Sequence, residues 1–297
     1  MYYEVKHKRE GTGSMKSMHH PQALCTQRTP TGHSTRRIRL KLLSYNIQVG
    51  IMTKRRFDYI AHGWKHLIPH TRRSDNLKSI ASLIREYDIV GLQELDGGSF
   101  RTNFINQTEF LAKEAGFQCW HDQINRNMGL VAKHSLGVLS RLESSQVNRH
   151  SLPGVLPGRG VLTVQFGSPH DPLVLMLVHL SLGRKARMKQ VGFLCDLIVQ
   201  YDHIILMGDM NCGADGEEMN ILKSRTGLKS SDCSMASYPS WNPTRRIDHI
   251  LVSPSLKIEK ASVLDYPLSD HLPIAMEVSL PGHLMLELPY RECRSAA

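Results

Sequence analysis

Short apolar runs of strand length recur along the chain, and each closes on a polar residue. Residues 40–45 lead to Asn46, 89–93 to Glu94, 173–178 to His179, and 204–208 to Asp209, with Asn211 two positions on. Runs this continuous and this short read as buried strands. Helical spacing appears between them. Leu77, Ile80, Ala81 and Ile84 repeat at helical intervals after Ser74, which predicts a helix over 74–87 capped by that serine. Further helices are predicted over 108–115, over 184–201 with Met188, Val191, Leu194, Cys195 and Ile198 on one face, and over 217–223. Residues 116–121, 129–132 and 136–140 are hairpin material, and 161–166 and 247–253 complete the strands.

Acids, amides and imidazoles at the ends of several strands suggest one shared site, because ligands in layered folds gather there. Near the C-terminus Asp270 and His271 stand side by side between Pro267 and Pro273. Neighbours on a strand face opposite ways, so this pair can act together only where the chain bends. An aspartate there can hold a hard cation while the imidazole handles a proton near neutral pH. Asp248 and His249 open the strand at 247–253, and His249, on the opposite face, is expected to be structural.

The motifs Ser44-Tyr45-Asn46, Leu92-Gln93-Glu94, Gly137 to Arg141, His179-Leu180, Gly208 to Asn211, Ile247 to His249 and Ser269 to His271 occur in order over residues 38–280. In that order they resemble the endonuclease/exonuclease/phosphatase superfamily. The resemblance implies an α/β four-layer sandwich, two packed and mostly antiparallel sheets with helices outside, as in DNase I-like phosphoesterases. It implies Mg²⁺ or Mn²⁺ held by Glu94 with Asn46 and Asp270 as the metal ligands. His179, Asp209, Asn211, Asp248 and His271 would be catalytic. Asp209 would prepare the attacking water, Asn211 and His179 would grip phosphoryl oxygens, and Asp248 would orient His271. Arg141, which closes the middle motif, and Trp241, in the loop at 238–246, are the substrate-binding candidates.

Substrate is less legible. Residues 1–40 hold eight Lys/Arg and two Asp/Glu, or +6 of the net +10, which leaves +4 for the rest. That balance favours an anionic partner. Residues 50–73 interleave Lys54, Arg55, Arg56, Arg72 and Arg73 with Phe57, Tyr59 and Trp64, a composition that suits bases and phosphates as well as an amphipathic helix. No exposed apolar hairpin is evident to anchor a lipid-cleaving enzyme. The reading is therefore a metal-dependent phosphodiesterase, first a nuclease on DNA or RNA. A phosphatase or phospholipase C-like hydrolase stands second, and an inactive phosphate-binding protein third. Against that third reading, Glu94, Asp209, Asn211, Asp248, Asp270 and His271 are all present.

Residues 1–37 are expected to be a disordered basic tail, 38–280 the catalytic domain, and 281–297 a C-terminal tail. Six scattered cysteines form no zinc-type spacing, and Cys212 reads as a small filler. No apolar run is long enough to span a bilayer. A cytoplasmic monomer without membrane insertion or protein partner is expected, with a phosphoester, nucleic acid included, as its ligand.

Overall fold

The structure is a computed structural model and describes residues 38–51, 71–154, 157–231 and 235–286. The expected tail at 1–37, nearly all of the segment at 50–73 and the last eleven residues lie outside that set.

Twelve strands form two six-stranded sheets. One sheet orders β11 (Lys257–Val263), β12 (Ile274–Ser279), β1 (Arg39–Asn46), β2 (Ile89–Asp96), β4 (Lys133–Ser140) and β3 (Cys119–Asn127). The other orders β5 (Ser144–Ser151), β6 (Gly160–Phe166), β7 (Leu173–His179), β8 (His203–Asp209), β10 (Asp248–Val252) and β9 (Lys229–Ser230). Each sheet has one parallel pair at its centre, β1 with β2 and β7 with β8, and is antiparallel elsewhere.

Strand alternation builds the layers. Leu40, Leu42 and Ile89 face Leu175, Leu177, Ile205 and Met207 of the other sheet in a shared core. Leu43, Tyr45, Val90 and Leu92 point the other way, onto α1 (Thr71–Ile84) and α2 (Gln107–Ala115). On the far side Val174, Met176, Val178, Ile204 and Leu206 meet α3 (Arg184–Ile198) and α4 (Glu217–Thr226). The result is the expected four-layer sandwich. A strand buried on both faces needs a continuous apolar run, and β7 and β8 have one. Each parallel pair needs a crossover, which α1 and α3 supply.

Several boundaries differ from expectation. α1 begins at Thr71, so Ser74 lies inside the helix and not at its N-cap. α2 is capped instead by Asn106, whose side chain accepts the Thr108 and Glu109 N–H groups, and Gly116 closes it in the left-handed region. β5 and β11 are polar edge strands with no apolar alternation to reveal them. Packing also continues past β12, where Leu284 is buried in the shared core. Among the described residues no helix is long and apolar enough to cross a membrane.

Two glycines let the layers close. At Gly91 a Cβ would press on Leu177 and Met207 of the facing sheet. Gly208 is the tighter case: its φ is 144°, and a Cβ would sit 1.9 Å from the Val178 carbonyl oxygen. Gly208→Ala is expected to lower stability by about 3 kcal/mol or more through backbone strain and overpacking. Urea unfolding of the variant beside wild type measures this, and a loss below about 1 kcal/mol would show that β7 and β8 can separate to admit the methyl.

Candidate active site

A parallel pair brings two C-terminal strand ends together. β1 and β2 therefore deliver Asn46 and Glu94 to one end of the sandwich, and β7 and β8 deliver His179 and Asp209, which are direct register partners. β10 runs antiparallel to β8 and sets Asp248 opposite Asp209. β12 runs antiparallel to β1, so the loop before it carries Asp270 and His271 in at the same end.

Glu94 arrives there only through an irregularity. Val90 and Leu92 face the helices, so Glu94 at the next alternate position would do the same in a regular strand. Instead the register between β2 and β4 shifts between Leu92 and Leu95, and Glu94 has φ 55°, in the left-handed region. The extra residue turns its carboxylate toward the site, and Leu95 resumes the helix-facing row. A left-handed non-glycine residue at a bulge is strain that the surrounding sheet must hold. Asn211, at φ 52°, is a second such residue.

One amide links the two sheets. Asn46 Nδ2 donates to Glu94 Oε1 and to Asp209 Oδ2, both at 3.2 Å, while its Oδ1 accepts the Gln48 N–H. Asp209 Oδ1 accepts the Asn211 N–H at 2.9 Å, and its Oδ2 lies 3.3 Å from His179 Nε2 and 3.8 Å from His271 Nε2. On its other side His271 Nδ1 lies 2.8 Å from Asp248 Oδ2, which also accepts the Ser237 hydroxyl at 2.5 Å. The Tyr238 ring packs against the imidazole, with centroids 4.7 Å apart. Asn211 donates its side-chain N–H to the Leu180 carbonyl at 2.9 Å. Asp270 is buried, and its Oδ1 accepts the Ser269 hydroxyl.

Burial and the crowding of charge shift four of the site's groups. Desolvation, with Asp248 and Glu94 adding to it, lifts the Asp209 carboxyl to about 7. Burial and Asp270 raise Glu94, although more than a third of that side chain is exposed. His271 moves in the opposite sense: burial opposes its charge, but Asp248, Asp209 and Asp270 together hold it up to about 10. Burial and the nearby Arg159 and His271 keep His179 well below its usual range and so neutral.

The donor set fits a hard divalent cation. Four carboxylates, Glu94, Asp209, Asp248 and Asp270, are offset locally by the His271 imidazolium and the Arg159 guanidinium. Burial raises the carboxyls of both Glu94 and Asp209, and neighbouring carboxylates add to the shift. Asp209, Asp248 and His271 have potential ligand atoms within 4.8 Å of one another. His271 is committed to Asp248 by a hydrogen bond, and Asn46 turns its Nδ2 to Glu94 while the Gln48 N–H holds its Oδ1, so the carboxylates of Glu94 and Asp270 are the oxygens that could hold an ion.

A cavity of about 760 Å³ opens beside Glu94 and His179. Arg126, Arg159, Lys185, Lys189 and His134 line part of it. None of the four Arg/Lys side chains has an ion pair or side-chain hydrogen bond among the described residues, whereas Arg184 and Arg187, on the same helix as the two lysines, pair with Glu217 and Glu218. His134, half-buried, is lowered to about 4 by burial and by Arg101. Arg159, Ser237 and Tyr238 are site residues that the sequence reading did not select. Only the setting of Arg159 between two glycines hinted at it.

Arg141 does not reach the site. It follows β4 at the end where Ser140 pairs with Ile89, the opposite end of β2 from Glu94. Its guanidinium donates to the Arg85 and Tyr87 carbonyls and lies 4.9 Å over the Phe117 ring, so its work is structural. Trp241 is half-buried in the turn beside Ser240, whose N–H and hydroxyl bind the Asp270 and Ser269 carbonyls. His249 is a buried structural group that donates Nε2–H to the Cys212 carbonyl at 2.9 Å, and Cys212 itself packs under α3 and α4.

The expectation of no apolar hairpin is corrected by the β3–β4 turn, which exposes Met128, Leu130 and Val131. Beside it the loop after β2 exposes Phe100, Phe104 and Ile105. The two are joined where Phe100 N–H donates to the Leu130 carbonyl and the Ser99 hydroxyl to that of Val131. Buried Asp96 pins this loop from below, accepting from Gly98, Ser99, Arg101, Thr102 and Lys133. The apolar residues are thus displayed on a rigid base. Residues 129–132 read as a strand-like piece from sequence because a hairpin tip has no local signature of exposure.

This fold and this end-of-sandwich polar cluster define a class, and the chain belongs to it: the Endonuclease/Exonuclease/phosphatase family, whose sequence model matches residues 43–271. The superfamily comprises phosphoesterases, nucleases and phosphatases among them. Among solved structures the chain is similar to the endonuclease/exonuclease/phosphatase from Beutenbergia cavernae, with a TM-score of 0.63, 20% identity, and 82% of this chain and 72% of that one covered. It is similar to the human Nocturnin catalytic domain with bound sulfate, at 0.62 and 18%, covering 82% and 94%. The mannosyl-6-phosphatase of Bacteroides thetaiotaomicron aligns at 0.60 and 18%, covering 80% and 99%. At these identities the likeness is one of fold. No curated protein matches the chain.

Because the folded His271 titrates near 10 rather than near 6.5, its pairing contributes stability that is complete below the unfolded value and is lost as pH rises through about 10. In EDTA, wild-type unfolding free energy should fall more steeply between about pH 7 and pH 10 than that of His271→Gln. Parallel curves from urea titrations would remove the imidazolium from the account.

Proposed function

We propose that the chain hydrolyses phosphodiesters with a divalent cation, Mg²⁺ or Mn²⁺, bound by Glu94 and Asp270, with the Asn46 amide fixing the Glu94 carboxylate. The observation that carries this reading is Asp209: it is buried, its carboxyl is raised to about 7, and it is held between the Asn46 amide and two imidazoles. A carboxylate poised there is suited to take a proton from an attacking water near neutral pH. The cation, when bound, supplies charge screening of the phosphoryl group. His179, neutral and 3.3 Å from Asp209, can donate Nε2–H to a phosphoryl oxygen. Asp248, fixed by the Ser237 hydroxyl, holds the His271 ring with Nε2 facing the site, where the imidazolium stabilises charge or protonates a leaving oxygen. Asn211 is turned to Leu180 and keeps its second amide hydrogen for a ligand.

Nucleic acid is the first substrate class. The support is the set of cations Arg126, Arg159, Lys185 and Lys189, which have no ion pair among the described residues and suit a ligand with charge beyond the scissile phosphate. A lipid phosphoester is the second, supported by the rigid apolar hairpin and loop at the foot of which Arg126 and His134 line the cavity.

Asp209→Asn should lower kcat by roughly 10²–10⁴-fold with little change in melting temperature. Steady-state assays on single-stranded and duplex DNA, RNA, inositol phosphates and sphingomyelin, with and without EDTA, test it. Unchanged turnover in the variant would discard Asp209 as the base. Leu130→Ser with Val131→Ser separates the substrate classes: turnover of phosphoesters in anionic vesicles should drop about tenfold if lipid is the substrate, while DNA cleavage stays as it was. Equal activity on vesicles would leave the apolar tip without a role in substrate access.

A further inference from the structure

At the opposite pole of the sandwich three metal-ligating side chains meet. Asp171 lies in the turn before β7, His203 opens β8, and His283 follows β12, so both sheets contribute. His203 and Asp209 are the two ends of β8, about 20 Å apart at the rise of a strand. The cluster is therefore separate from the hydrolytic site. His203 Nε2 lies 3.0 Å from Asp171 Oδ1, His283 Nε2 lies 3.3 Å from Asp171 Oδ2, and the two Nε2 atoms are 3.4 Å apart.

His203 is oriented toward this cluster from behind. The Ser255 hydroxyl, which also reaches the Asp202 carbonyl at 3.0 Å, lies 2.8 Å from His203 Nδ1 and sets the ring with Nε2 toward Asp171 and His283. In the tautomer that donates Nδ1–H to that hydroxyl, Nε2 offers its lone pair to the cluster, the form in which an imidazole ligates a metal. Tetrahedral ligation with bonds of about 2.0–2.1 Å places neighbouring ligand atoms about 3.3–3.4 Å apart, close to the separations found. The Ser255 contact is also what orients a ligating histidine through its second nitrogen.

We propose that Asp171, His203 and His283 form a zinc-class metal site with a fourth position open to solvent. Two imidazoles and one carboxylate suit Zn²⁺ and not the hard Mg²⁺ or Mn²⁺ of the other pole. His203 is buried, whereas Asp171 and His283 are accessible, so the ion can enter from the surface. Bound there, it joins the segment after β12, whose Leu284 packs in the shared core, to the start of β8, and staples one sheet to the other.

The test uses the full chain, compared with His283→Gln, a change at an exposed side chain. After dialysis against Zn²⁺ and gel filtration, wild type should retain one more zinc per chain than the variant, and the zinc-induced rise in melting temperature should be lost in the variant. Co²⁺ should give wild type a tetrahedral visible band that His283→Gln lacks and that Glu94→Gln retains. Equal zinc content and equal thermal shifts in wild type and His283→Gln would overturn the site. A Co²⁺ band lost in Glu94→Gln and kept in His283→Gln would also overturn it, by assigning the ion to the other pole.

Discussion

Asp209 is a carboxylate buried at the end of an apolar strand, facing three others, and much of the structure is an answer to that charge. Its oxygens are met by the Asn46 amide, the Asn211 backbone and two imidazoles. These compensate incompletely, as its elevated carboxyl shows. An unpaired buried charge is expensive, so a protein that keeps one must hold it with a rigid frame and find it a counter-charge. The His271 imidazolium provides part of that counter-charge, and the oxygens grouped around Glu94 are arranged to accept a cation that provides more.

The frame is the pair of parallel strands at the centre of each sheet. Parallel pairing is what brings Asn46 beside Glu94 and His179 beside Asp209, and antiparallel neighbours then return Asp248 and the Asp270-His271 loop to the same end. Two local departures complete the geometry. Gly208 lets β8 approach the Val178 carbonyl as no other residue would, and the bulge at Glu94 reverses the direction of one side chain. Strain of this kind survives because the core on both sides of each sheet is densely buried and predominantly apolar and over-determines the backbone.

Around this centre the molecule is asymmetric in chemistry. The mouth of the cavity joins these cations to a rigid apolar tip, a combination of charge complementarity and exposed hydrocarbon that a surface keeps only where something docks. The far pole gathers two histidines and an aspartate from segments that close the two sheets against each other. Hard oxygen donors at one end and imidazole nitrogens at the other would sort two different ions within one fold.

The layers and most of the central cluster were legible in the sequence, because buried strands must be apolar and the polar residue that ends each one is local information. Asn46, His179 and Asp209 are of this kind, whereas the Asp248–His271 pairing came only through the family resemblance. The direction of Glu94 was not, since one inserted residue inverts strand parity without changing composition. Nor was the exclusion of Arg141 or the inclusion of Arg159: both are arginines near strand ends, and only the registers of β2 with β4 and of β6 with β7 show which end is which. Asp171 and His283 are more than a hundred residues apart in the chain. Their meeting with His203 is decided by how the sheets stack, a long-range packing outcome for which no short stretch of sequence carries a signal.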